Sequence, residues 1–119
     1  MSSNNNEEQR KRTRTEIDRH VTVEDALLKT NIGKLVNLHD DGFLVIGSSE
    51  VRENCLYQIY FRFSELVHGV DHLSVGAECL WLRETGSGDQ HWAGFQIIDI
   101  ADKDKHIIQR LMIDTALND

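Results

Sequence analysis

Apolar residues alternate with polar ones in short stretches through most of this 119-residue chain and take up helical spacing only near its end. His20 to Glu24 alternates weakly, with Val21 and Val23 on one side, and predicts a first strand. Asp25 to Thr30 is ambiguous, and Asn31 suggests a turn before Gly33. Lys34 to Leu38 and Phe43 to Ile46 are short apolar runs bracketing Asp40-Asp41-Gly42. An Asp-Gly step between apolar runs predicts a hairpin, because glycine tolerates the positive φ of a tight turn. Gly47-Ser48-Ser49 ends that strand. Leu56 to Phe63, rich in aromatic and β-branched residues, predicts another strand. Val67 to His72, with Gly69, reads as a loop. Leu73 to Arg83 and Trp92 to Ile100 predict a hairpin joined through Gly86-Ser87-Gly88-Asp89, with Trp81 and Trp92 facing each other across it. Trp81, inside an apolar run, reads as core.

The period then changes. Ile107, Ile108, Leu111 and Met112 repeat at helical spacing after Asp102, which can serve as the N-cap. A single amphipathic helix over about 103–116 would lay its apolar stripe on a sheet or across a barrel mouth. Short strands followed by one helix predict a mainly all-β fold, a small antiparallel barrel capped by the C-terminal helix. The first nine residues are polar and without period, and are read as a disordered tail preceding a single domain over 10–119, with the barrel over about 19–100.

Composition narrows the functional classes. Hydrophobic residues make up 39% of the chain, enough for a modest core. No run approaches the roughly 20 apolar residues of a membrane span, and the start has no signal-peptide stretch, so a cytoplasmic protein without membrane insertion is expected. Cys55 and Cys79 are too few for a disulfide framework and read as buried thiols. The net charge is −7, yet Arg10, Lys11, Arg12, Arg14 and Arg19 concentrate positive charge near the start. A local basic patch on an acidic protein suits a small anionic ligand better than DNA or RNA, which need phosphate contacts along an extended surface.

Two short motifs carry the chemistry. Arg10-Lys11-Arg12-Thr13-Arg14 puts guanidinium groups on a flexible arm. Asn37-Leu38-His39-Asp40-Asp41-Gly42 puts a polar turn on a β scaffold. An arginine fork can take guanine O6 and N7 together, pair with phosphate oxygens, or stack on a base. Asn37 can both accept and donate. Gly42 lets a backbone approach closely. Other clusters read as structural. His68 and His72 lack a coordination set and sit by a loop glycine, so no metal is expected. No acid/base pair, nucleophile motif or phosphate loop is present, so no catalytic residue is assigned and an enzyme is not expected.

The R-x-x-x-R arm, followed about twenty residues later by a turn of the form D/N-x-S-x-x-G and a β-rich remainder, resembles the PilZ domain. Arg10 and Arg14 match the two arginines, Asn37 and Gly42 match the ends of the turn motif, and His39 stands where the family has serine. Trp92-Ala93-Gly94-Phe95-Gln96-Ile97 resembles the family's late strand. The resemblance implies a six-stranded antiparallel barrel and a bacterial receptor for cyclic di-GMP, acting on an effector protein in motility, biofilm or exopolysaccharide control. The ligand residues it implies are Arg10, Arg14, Asn37, His39 and Gly42, with Lys11, Arg12 and Asp41 as additions. It leaves open a protein-interaction module that does not bind nucleotide.

Overall fold

The computed structural model describes residues 15–16, 20–39, 41–47, 51–86 and 88–118, with 15–16 and 113–118 described as backbone alone. The strands are β1 (Thr15–Glu16), β2 (Val21–Asp25), β3 (Thr30–Leu38), β4 (Gly42–Gly47), β5 (Leu56–Val67), β6 (Val70–Glu84) and β7 (His91–Ile100), followed by helix α1 (Asp102–Asn118). All pairings are antiparallel. The order β3-β2-β5-β6-β7-β4 closes through a β3–β4 pairing into a six-stranded barrel, and β1 adds a short rung to β3. Closure removes the unpaired edges that an open sheet of this size would expose.

Alternation places the core. Val21, Val23, Phe61, Val75 and Phe95 point inward with at most 3% of their surface exposed. Phe43 joins the aromatic centre. Its ring stands edge-on to Phe61 at 4.8 Å and stacks on Phe95 at 4.9 Å. Ile108 and Leu111, three apart on α1, enter the same core, which is why the apolar stripe of an otherwise polar helix is retained.

Several expectations are corrected. Val67 to His72 is not a loop: His68 and Gly69, both at positive φ, make a tight turn, and β5 and β6 run up to it on either side. Long apolar alternation in both strands outweighs the single glycine. Asn31 lies within β3 rather than in a turn, and the turn falls earlier, after Asp25. Buried Asp25 accepts there from the backbone N–H groups of Leu27 and Leu28 at 2.9 and 3.0 Å, and Lys29 N–H donates to its carbonyl. The helix begins one residue early. Ala101 carbonyl accepts from Asp104 and Lys105, so Ala101 rather than Asp102 occupies the capping position. Asp102 and Asp104 instead lie in the first turn, where their charge suits the helix dipole. Among the described residues, no helix is long and apolar enough to cross a membrane.

Candidate functional site

The hairpin carrying the second motif is tighter than its sequence suggests. His39 N–H donates to the Gly42 carbonyl at 2.8 Å, which closes the turn, and Gly42 is already the first residue of β4. Gly42 does not have positive φ. Its necessity is steric: a Cβ there would stand 2.8 Å from the Phe95 carbonyl oxygen on β7. The Asp41 carbonyl accepts from Ile97 N–H at 2.9 Å, which pins the turn to the same strand.

From this hairpin a row runs across the barrel wall. Asn37 pairs with Leu44, Leu44 with Gly94, and Gly94 with Trp81. Register shifts at Val36 on β3 and Leu80 on β6 bend both ends of the row. The result is a groove of about 210 Å³ lined by Asn37, His39, Gly42, Leu80, Trp81 and Gly94 among others. Three of the residues singled out by the motif therefore share one groove. Asn37 is only 5% exposed and His39 is half-buried. Asp41 is exposed and is not part of the lining.

Trp81 is not a core residue. It is half-buried on the outer face and does not oppose Trp92, which pairs with Arg83. Its indole covers Gly94, where a Cβ would fall 2.3 Å from ring carbon Cε2. The Arg83 guanidinium lies over the indole at 5.1 Å. Trp81 and Arg83 are thus members of the site region that sequence reasoning missed. The only signal was the pairing of an aromatic strand position with a glycine on the next strand. A single-residue bulge, invisible in the pattern, decides that pairing.

Arg10, Lys11, Arg12 and Arg14 lie outside the described residues. Their attachment point does not. Thr15 pairs with Leu38 and Glu16 with Asn37, so the chain enters the barrel beside the groove. Arg14 is bonded directly to Thr15, and covalent geometry keeps Arg10 within roughly 16–18 Å of it. Among the described residues, none of those lining the groove is a lysine or arginine, and the Arg83 guanidinium lies over the lining residue Trp81.

The sequence matches no protein-family model and no curated protein. Solved structures do match. The PilZ domain with c-di-GMP of YcgR from Escherichia coli aligns with a TM-score of 0.66 at 12% identity, covering 88% of this chain and 89% of that one. The Bacillus subtilis inhibitor of motility, MotI/DgrA, aligns at 0.68 and 16% identity, covering 88% of this chain and 50% of that one. K. pneumonia MrkH in its apo state aligns at 0.69 and 10% identity, covering 88% and 50%. The chain thus spans about half the length of the MotI and MrkH chains. A closed antiparallel barrel with an outer-face groove beside its incoming chain places the protein among the small β-barrel domains. More narrowly, the fold is that of a PilZ domain.

Proposed function

We propose that the chain is a cyclic di-GMP receptor in which the arm bearing Arg10 and Arg14 folds over the groove at Asn37, His39 and Gly42. The observation that carries this reading is the β1–β3 pairing. It sets Thr15 and Glu16, which directly follow the basic segment in the chain, against Leu38 and Asn37 of the turn motif. The groove supports a two-part site. At about 210 Å³ it is smaller than the roughly 300–1,000 Å³ of pockets that enclose drug-sized ligands. The arm supplies the missing wall and the missing charge. In this arrangement one guanine edge faces Asn37 and His39, a base lies against Trp81, and the arginines take the phosphates and the other base edges. Lys11 and Arg12 add to the local positive field.

Ordering of the arm on ligand binding changes the shape and charge of this face, which an effector protein then reads. No catalysis is assigned. The acidic barrel disfavours extended nucleic acid, but the fold does not forbid it: MrkH, a structural neighbour, is described as a c-di-GMP-dependent transcription regulatory factor.

Isothermal titration with cyclic di-GMP at physiological salt, with Arg14→Ala in parallel, tests the proposal. Saturable binding is expected. Losing a charge-assisted contact worth about 1.5–3 kcal/mol should weaken it roughly 10- to 100-fold in the variant. Folded protein that takes up no ligand at high micromolar concentration would overturn the receptor reading and leave the nucleotide-independent interaction module.

A further inference from the structure

The two cysteines are far apart in sequence, and the barrel sets them opposite one another. The β5–β6 ladder reaches Leu56 opposite Glu78, and one step further Cys55 faces Cys79. Cys79 N–H donates to the Cys55 carbonyl at 3.0 Å, and Asn54 N–H donates to the Cys79 carbonyl at 2.6 Å. Asn54 has φ 64°, so Asn54 and Cys55 together oppose the single residue Cys79. This is the pattern of a bulge whose first residue is left-handed. The pair lies at a hydrogen-bonded position of the ladder, where facing Cα atoms stand about 5.5 Å apart, inside the roughly 4.4–6.8 Å range that a disulfide spans.

The surroundings make the two thiols unequal. Cys79 is fully buried, and that burial pushes its thiol pKa up. Its Sγ lies 3.7 Å from the Trp81 carbonyl, to which the thiol donates. Cys55, at the end of the crossover from β4 to β5, is half-buried, more open than the buried thiol its sequence suggested. The same crossover is already tied to β6 and β5: Leu82 N–H donates to Glu53 Oε2 at 2.8 Å, and Arg52 N–H donates to the Tyr57 hydroxyl at 2.8 Å. A covalent link at Cys55 therefore joins segments that the fold has already brought into register.

We propose that Cys55 and Cys79 form a dithiol pair that closes to a cross-strand disulfide on reaction with a small-molecule disulfide, latching the crossover to β6 beside the groove. In the first step the Cys55 thiolate attacks one sulfur of the small disulfide. A mixed disulfide forms on Cys55, and one small thiolate leaves. In the second step Cys79 attacks the Cys55 sulfur, and its proton passes to the second small thiolate as that leaves. The protein loses two electrons and two protons, and one small disulfide becomes two thiols. The accessible Cys55 is the entry point and the buried Cys79 is the resolving thiol. Closure also removes the S–H donor from the Trp81 carbonyl, which links the latch to the strand bulge that shapes the groove.

The test incubates the full chain with oxidised glutathione, quenches with acid, and reads intact mass and peptide maps. Wild type should lose two hydrogens. Its count of alkylatable thiols under denaturing conditions should fall from two to none, with one peptide pair joined through residues 55 and 79. Cys79→Ala should instead accumulate a glutathione adduct on Cys55. Cys55→Ala should stay unmodified while folded, which keeps the assignment testable if the core variant unfolds. Stable glutathione adducts on wild type, disulfide-linked dimers, or two thiols still free would each overturn the proposal.

Discussion

The seat of Trp81 on Gly94 makes a sharp prediction. Gly94→Ala places a methyl 2.3 Å from Cε2, 2.4 Å from Nε1 and 2.7 Å from Cζ2 of the indole, where real Cβ contacts essentially never fall under 3.0 Å. The obstacle is the rigid ring, not a flexible tail, so the indole must swing off the strand or β6 and β7 must part. Overpacking of this kind costs about 1–3 kcal/mol. Displacing the ring also breaks the Arg83 contact, worth about 0.5–1 kcal/mol at an exposed site. Replacing a strand glycine returns roughly 0.5–1 kcal/mol of backbone entropy. A net loss of about 1–3 kcal/mol remains, or roughly 4–12 °C in melting temperature for a domain of this size. Thermal unfolding followed by circular dichroism on wild type, Gly94→Ala, Trp81→Ala and the double variant closes a cycle. With the indole gone, Gly94→Ala should cost under about 0.5 kcal/mol, so the coupling should account for most of the single-variant loss. An equal cost in both backgrounds would refute the steric argument. Under the proposed function, Gly94→Ala should also weaken cyclic di-GMP binding.

Three further outcomes follow from the barrel. Asp25→Ala removes the acceptor for two turn N–H groups and should cost about 1–3 kcal/mol in urea unfolding, while Asp25→Asn, which keeps a carbonyl oxygen, should cost less than half as much. Phe61→Ala, fully buried and edge-on to Phe43, should cost about 3–5 kcal/mol, measured by the same assay. The hydrogen bond from His72 at 2.8 Å holds the Asp71 carboxyl below its ordinary value of 3.8. A lowered carboxyl adds stability that is present above the ordinary value and lost as pH falls through the lower folded one. In an NMR titration, His72→Ala should therefore raise the Asp71 midpoint toward 3.8 and leave distant carboxyls where they were.

Alternation and helical period by themselves determined most element types, the exceptions being Asn31 and the ends of β5 and β6 around His68 and Gly69. Val21 and Val23, Leu56 to Phe63, and the stripe of Ile107, Ile108, Leu111 and Met112 all read correctly, because one-sided burial imposes a local period that a single chain displays. The turn motif at Asn37 to Gly42 was legible for the same reason: a hairpin is set by neighbouring residues. What sits opposite what was decided only by tertiary structure. Register depends on bulges at Val36 and Leu80, each a one-residue shift with no signature in the apolar pattern. The shift at Leu80 moves Trp81 from the expected core onto Gly94, with Arg83 over its indole. Barrel closure likewise gives Gly42 its reason, the Phe95 carbonyl, and sets Cys55 against Cys79. Periodicity records which face of a strand is buried. Cross-strand neighbours are chosen by the summed packing of the whole ring, which no local stretch of sequence contains.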